Sequence, residues 1–329
     1  MEKKKAIITG IAGQDGSYLA ELLLEKDYEV YGVELRSDAK TLKRIKHILN
    51  DVIMVDDDLL SLESVDRIIN VVAPHEVYNL AGPSLIPETW ENPVASAKIL
   101  AVSVTRLLEA IRRFSPETKY YQASTSQLFG APLQSPQDEK TPFNPCNPYG
   151  IAKLYAHQMV KTYREKYNMF ACSGILFAHE SPRRPVDHFS RRITNAAACI
   201  KQGIDTELKL GNLDYISDWG YSPDYVKAMW LMLNHSEPSD FIISSGEPHT
   251  LREFVQEAFD YLDLNWKDHV VEDKTLYAAM DGASLVGNSK KAREVLKWEP
   301  EVDFKSLVKI MVDHDMEEVK KDIDRQVIE

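Results

Sequence analysis

Residues 5–26 read KAIITGIAGQDGSYLAELLLEK, and the reading of this stretch decides the fold. A short apolar run, Ala6 to Ile8, stops at Gly10. Beyond the glycines, Leu19, Leu22 and Leu23 recur at helical spacing, so the stretch predicts a strand, a turn and a helix. Gly10, Gly13 and Gly16 fall in the pattern G-x-x-G-x-x-G. Gly10 permits a tight turn, Gly13 lets the backbone approach a pyrophosphate, and Gly16 lets the helix pack closely on the strand. The helix N-terminus adds free N–H groups and a partial positive charge. A glycine triplet alone is weak; placed between a strand and a helix it predicts a dinucleotide-binding turn.

Downstream of this unit, short apolar runs alternate with amphipathic stretches. YEVYGVEL, VIMVDDD, EVYNLAG and KYYQAST read as strands; RIKHIL, VDRIINVVAP and SVTRLLEAIRRF read as helices. Such alternation predicts an α/β fold, a Rossmann-type doubly wound parallel sheet with right-handed crossovers. The rhythm loosens after about residue 175. HESPRRPVDHF reads as a proline-rich loop, 189–203 and Tyr225–Leu233 as helices, and LGNLDYISDWGYSPD as turn-rich. The expected division is a dinucleotide-binding domain at 1–175, with later segments returning to it, and a smaller α/β substrate lobe at 176–329.

The second strand ends at Glu34, about 20 residues beyond the glycines, where an acid binds both ribose hydroxyls and favours NAD. Arg36 nearby suits a 2′-phosphate and hence NADP. The position of Glu34 puts NAD ahead of NADP. Asp58 and Leu59 follow the third strand and are candidates for the adenine; a helix N-cap is the plainer role for Asp58.

Composition narrows the partners. A net charge of −12 argues against a nucleic-acid footprint, which needs clustered basic surface. No run of 18 apolar residues suggests a membrane span, and the start, MEKKKAIITG, has no signal-length apolar core. Cys146, Cys172 and Cys199 are odd in number and widely spaced, matching neither a disulfide framework nor a zinc site. No metal is expected, and a reducing cytoplasm is the simplest location.

Residues 147–153 read NPYGIAK, placing Tyr149 and Lys153 at i, i+4 on one helix face. A lysine beside a tyrosine favours phenolate, which can take a hydroxyl proton while a hydride leaves the same carbon. Ser124 or Thr125, at the end of a parallel strand, is positioned to hold that hydroxyl.

With these residues in hand, the chain resembles the extended short-chain dehydrogenase/reductases, and among them the GDP-mannose 4,6-dehydratase family. The stretches that carry the likeness include YNLAG, QASTSQLFG, NPYGIAKLYAHQMV, GILFAHESPRR, GNLDYISDWGYSPDYVKAMWLML, SGEPHTLREFV and KKAREVLKWEP. HESPRR and DWGY are the most specific. The resemblance implies that Gly10, Ala12, Gly13, Gln14, Asp15, Gly16, Asp58, Leu59, Leu80, Ala81, Gly82 and Ser84 line the dinucleotide. It implies Thr125, Tyr149 and Lys153 as catalytic residues, and His179 and Arg184 as residues reaching the cofactor. Ser84 and Ser126 become candidate substrate contacts, and the implied partner is a GDP-linked sugar. Family dimers or tetramers imply a homo-oligomer; the loop after Arg36 looks short, which puts dimer ahead of tetramer.

The resemblance also implies a mechanism: oxidation at the hexose C4, loss of the acidified C5 proton to a glutamate, departure of water from C6, and return of the hydride. The glutamate position holds Gln127, an amide that can hydrogen-bond but not accept a proton at neutral pH. Three readings stay open. The enzyme stops at the ketone or works as a 4-reductase or epimerase; another residue, among His179, Glu180 and Asp218, supplies the base; or Gln127 is an exchange that traps substrate. Gln127 could also simply orient Tyr149 or a sugar hydroxyl. A cofactor-retaining, non-catalytic module is a further alternative.

Other departures fall at phosphate-binding positions. Ala178 replaces a family asparagine, Ser217 an arginine, and Tyr277–Ala279 cover another arginine. Arg191, Arg192 and Lys209 are candidates to compensate. Leu35 replaces the first of two family arginines, which moves the preference toward NAD.

Overall fold

A computed structural model of the chain describes residues 3–34, 41–204, 207–276 and 284–328. The first half alternates as β1 (Lys5–Thr9), α1 (Gln14–Glu25), β2 (Glu29–Glu34), β3 (Val52–Asp56), α2 (Leu62–Val72), β4 (Glu76–Asn79), the short α3 (Ile86–Glu91) and α4 (Pro93–Ala97), α5 (Ser103–Phe114), β5 (Lys119–Thr125), α6 (Pro148–Tyr167) and β6 (Ala171–Leu176). The second half adds β7 (His179–Glu180), α7 (Phe189–Lys201), β8 (Leu208–Leu210), β9 (Ile216–Asp218), β10 (Gly220–Tyr221), α8 (Ser222–Leu233), β11 (Phe241–Ile243), β12 (Pro248–Thr250), α9 (Leu251–Asp260), β13 (Val270–Glu272) and α10 (Phe304–Ile328).

Seven strands form one parallel sheet in the order β11-β6-β5-β4-β1-β2-β3. Successive residues point to opposite faces, so each strand feeds two cores. Ile8, Tyr78 and Tyr121 join α1 and α8 on one face. Ile7, Val77 and Tyr120 join α2, α5 and α6 on the other. A sheet covered on both faces needs apolar side chains at every strand position, which explains runs such as AII in β1 and FII in β11 rather than alternation. Each fully buried aliphatic side chain contributes about 1.5–3 kcal/mol.

The strand order reverses between β1 and β4. At such a reversal, beyond the carboxyl ends of the strands, sheets of this kind form the crevice in which they bind ligands. Thr9 and Asn79 sit on either side of it. The Thr9 hydroxyl donates to Asn79 Oδ1 at 2.6 Å and accepts the N–H groups of Leu80 and Ala81, both at 3.2 Å. The loop after β4 is thereby pinned to the end of β1.

Residues beyond 176 divide between two places. α8 packs on α1, and β11 extends the sheet beside β6. The remainder surrounds a separate core of Trp219, Phe254, Phe259, Phe304 and Leu307. Two local readings differ from the sequence expectation. Arg44–Ile48 of RIKHIL lie within a 3-10 helix, Thr41–Ile48. The HESPRR loop begins with a two-residue strand paired in parallel to Gly220–Tyr221. A pair that short has no periodicity to read; tertiary contacts alone create it.

Candidate active site

The glycine turn has the form that its spacing predicts. Gly10 has φ +72°, a left-handed conformation that favours glycine. A side chain at Gly16 would collide with the Gly10 carbonyl, so α1 can approach β1 only with glycine there. No side chain caps α1 at Gly13, which leaves its first N–H groups free for an anion. Glu34 reaches back from β2 and accepts the Ala12 N–H at 2.8 Å. Burial pushes its carboxyl up from the usual range, and the Ala12 N–H partly opposes this. A bare turn, an open helix end and an acid folded onto them form a donor set that fits a dinucleotide with unmodified ribose hydroxyls. Arg36 and the loop that follows it lie outside the described residues.

Asp58 accepts the Leu60 N–H at 2.7 Å, and Ser61 caps α2 through the Ser64 N–H. The N-cap role considered for Asp58 therefore belongs to Ser61. The Leu59 side chain is buried in the α2–α5 core, so the crevice can meet only its backbone.

Asp15, in the first turn of α1, ties three segments together. Ser222 Oγ donates to it at 2.6 Å, and His179 Nε2 lies 2.8 Å away. His179 Nδ1 faces the Phe177 carbonyl at 2.7 Å, so that nitrogen carries a proton. A neutral ring would then turn a lone pair toward the carboxylate. The pair is therefore imidazolium and carboxylate. Burial acts against both charges, but their mutual attraction wins: Asp15 is held down to about 2 and His179 is raised. The His179 ring also stacks on Tyr225 at 4.6 Å. Both residues, implied as cofactor contacts, are engaged with each other.

Tyr149 and Lys153 lie one turn apart on α6, which Asn147 caps through the Gly150 N–H at 2.8 Å. Of the two candidate hydroxyls beside Tyr149, the structure selects Thr125. Ser124 points the other way, to His157 Nδ1 at 3.4 Å. Burial pushes the Tyr149 phenol up to about 12; the Thr125 hydroxyl and the Arg184 cation draw it down, and Asp15 pushes it up. Lys153 Nζ donates to the Ala123 carbonyl at 2.9 Å and sits 5.7 Å from the Tyr149 ring centre. Burial lowers Lys153 to about 8, with Asp15 opposing. Lys153, 5.7 Å from the ring, is the nearby cation that the sequence leads one to expect, and Arg184 adds a second cation that draws the phenol down.

Gln127 opens the 3-10 turn after β5 together with Ser126, which is buried. Its N–H donates to Thr125 Oγ1 at 3.2 Å. Its side-chain oxygen accepts from Asn147 Nδ2 at 3.0 Å. The three candidate replacement bases are all engaged elsewhere. His179 is paired with Asp15. Glu180 accepts from Ser190 Oγ at 2.7 Å and lies 3.1 Å from Arg184 Nε. Asp218 accepts from Ser245 N and Oγ, Gly246 N and Gly287 N, at 2.6–3.1 Å.

The proposed phosphate contacts also have other partners. Arg191 is buried in a two-pronged pair with Asp315, at 2.6 and 3.2 Å, and its remaining nitrogen donates to the Pro182 and Arg184 carbonyls. It is a structural cation, not a free one. Lys209 is exposed and pairs with Glu207, and Arg192 donates to the Lys209 carbonyl. Ser217 is buried on β9 opposite His249. Tyr277–Ala279 lie outside the described residues.

Sequence reasoning missed His188. Its ring lies between Arg184 Nη2, at 2.8 Å, and Ser84 Oγ, at 3.3 Å. No motif flags it; only its place four residues after Arg184 hinted at contact.

A family model described as GDP-mannose 4,6 dehydratase matches residues 7–311. GDP-mannose 4,6 dehydratase 1 of Arabidopsis thaliana is 45% identical over 332 residues, covering 97% of this chain and 92% of the relative. The dTDP-glucose 4,6-dehydratase of Bacillus anthracis, solved with NAD, superposes with a TM-score of 0.83 at 19% identity, covering 96% of this chain and 98% of that one. A Pseudomonas aeruginosa structure titled RMD, solved with NADPH, gives 0.81 at 19% identity, covering 96% and 100%. These two structures share the fold.

Proposed function

Because the chain belongs to the GDP-mannose 4,6-dehydratase family, we propose that this NAD(P)-dependent sugar-nucleotide enzyme binds a GDP-linked hexose in the crevice beyond β1, β4 and β5 and oxidises it at C4. The observation that carries this reading is the Thr125–Tyr149–Lys153 set at the end of β5.

A bound nicotinamide dinucleotide supplies the hydride acceptor. The Tyr149 oxygen takes the proton of the C4 hydroxyl, and the Thr125 hydroxyl steadies the phenol and the sugar oxygen. Burial holds the ligand-free phenol at about 12, so Tyr149 must give up its own proton before it takes that of the C4 hydroxyl; the positive charges of Lys153 and Arg184 favour that loss. Lys153 keeps its proton at neutral pH and contributes positive charge on the same helix face. Glu34, folded on the glycine turn, supports NAD over NADP through the two ribose hydroxyls.

Oxidation at C4 acidifies C5, and water loss then needs a base. Gln127 offers two N–H donors and an oxygen already occupied by Asn147. It is suited to holding a sugar oxygen and not to removing a proton. Slow elimination after fast oxidation follows, and this favours, as a second reading, a 4-reductase or epimerase that returns the hydride to C4.

The test is incubation with GDP-mannose and its C4 epimer. Appearance of the reduced-nicotinamide absorbance band supports C4 oxidation, and mass spectrometry then separates loss of one water from inversion at C4. No change in the band together with no product of altered mass or altered C4 configuration, with any GDP-hexose, defeats the proposal and leaves the non-catalytic module.

The proposed assembly is a dimer. Trp90, Val94, Ile151 and Tyr155, on α3, α4 and α6, are exposed apolar side chains, and a second copy would cover them. Light scattering at micromolar concentration checks this. The proposed location is the cytoplasm, supported by Cys146, Cys172 and Cys199, none of which is in a disulfide; fractionation tests it. Among the described residues no helix is long and apolar enough to cross a membrane.

A further inference from the structure

Ser84 stands just beyond β4, in the loop that Thr9 pins to the end of β1, and it is exposed. His188, at the N-cap of α7, is buried, 8% exposed. Its two ring nitrogens have different neighbours, and these fix where its proton lies. Arg184 Nη2 is 2.8 Å from Nδ1. A guanidinium has donors only, so Nδ1 must accept. The ring proton is therefore on Nε2, the nitrogen that faces Ser84 Oγ at 3.3 Å. Ser84 accepts that N–H. Its own hydroxyl proton is then directed away from His188.

The chain of contacts is anchored at its far end. Glu180 is 2% exposed, lies 3.1 Å from Arg184 Nε and accepts from Ser190 Oγ at 2.7 Å. Arg184 thus stands between a buried carboxylate and a buried imidazole. Burial first, and the Arg184 cation second, hold His188 down to about 3, so the neutral ring persists wherever the protein is folded and active. The same guanidinium draws the Tyr149 phenol down, so this chain of contacts bears on the proposed site electrostatically.

We propose that Arg184 and His188 form a relay that orients the Ser84 hydroxyl as a hydrogen-bond donor to an oxygen of the nucleotide-linked hexose. His188 is a positioning residue, since it acts through Ser84. The inference rests on the reading that the crevice takes a sugar nucleotide. A histidine pinned in one tautomer suits this role better than a free serine, because an unrestrained hydroxyl rotates and is as ready to accept as to donate.

The test is a double-mutant cycle in the full-length protein, with bound dinucleotide content and thermal midpoint as controls for folding. Ser84→Ala and His188→Phe are each expected to lower the rate of C4 oxidation roughly three- to tenfold, the loss of one neutral hydrogen bond. The double variant is expected to fall no further than the weaker single variant, because both changes remove the same interaction. His188→Gln, which can accept from Arg184 and donate to Ser84, is expected to recover most of the rate. Multiplying losses in the double variant, or parental turnover by His188→Phe, would overturn the relay. If His188→Phe fails to hold dinucleotide, the Gln variant decides: parental rate supports the relay, and a loss as large as that of Ser84→Ala counts against it. Should the parent act on no GDP-hexose, the substrate reading falls first and the relay with it; uncoupled variants of an active parent sink the relay alone.

Discussion

The Gln127 side-chain oxygen accepts a hydrogen bond from Asn147 Nδ2 at 3.0 Å, and Asn147 Oδ1 at the same time caps α6. The cap fixes the orientation of the Asn147 amide, and that orientation fixes Gln127. A carboxylate at 127 would accept the same Asn147 donor with one oxygen and leave the other free as a base. Gln127→Glu is therefore expected to raise the rate of water loss about 10²–10⁴-fold while changing C4 oxidation little. Product mass and solvent-deuterium incorporation at C5 measure the two steps separately. No gain in water loss would show that elimination is limited elsewhere.

Ser124 and Thr125 are adjacent, yet they face opposite sides of the sheet. Thr125→Ala is expected to lower the oxidation rate by about 10²-fold while the protein still holds its dinucleotide. Ser124→Ala removes a buried contact with His157 and is expected to cost about 1 kcal/mol of stability with turnover retained. Steady-state rates and urea unfolding, measured side by side, check the contrast; equal kinetic losses would contradict it.

The Asp15–His179 pair makes stability depend on pH in two directions. Asp15 is held at about 2, below its ordinary 3.8. Its contribution is complete above 3.8 and is lost as pH falls from there through about 2. His179 is raised above its ordinary 6.5, so its contribution is present below 6.5 and is lost as pH rises through the raised value. The carboxylate shift corresponds to on the order of 2 kcal/mol. Urea unfolding of dinucleotide-free protein is expected to show the parent's advantage over Asp15→Asn shrinking as pH falls toward 2. An advantage constant with pH would mean that Asp15 acts by packing alone.

Arg191 and Asp315 form a buried pair, and Thr194 also donates to Asp315. Arg191→Met leaves a buried carboxylate without its cation and is expected to cost about 3–5 kcal/mol. Replacing Asp315 with Asn in the same chain should restore most of that loss. Thermal unfolding reads both effects. A large rise in KM for the sugar nucleotide, with stability unchanged, would return Arg191 to the substrate site.

Much of the site was legible before any tertiary contact was known. The glycine spacing and the Tyr149–Lys153 interval are local patterns, and local geometry dictates what they form. The partners were not legible. Asp15 meets His179 across 164 residues, and Arg191 meets Asp315 across 124. Arg191 looked like a free cation because its neighbours in sequence do not neutralise it. His188 looked like a loop residue because its contact with Ser84 crosses 104 residues.

By itself, the sequence determined the order of the first five strands, the bare turn after β1 and the spacing of the catalytic pair, since backbone sterics and side-chain periodicity act over a few residues. Tertiary structure alone decided which hydroxyl meets Tyr149 and which charges are already neutralised. Those outcomes depend on distance and burial, and the folded chain sets both by bringing remote segments into one low-dielectric crevice.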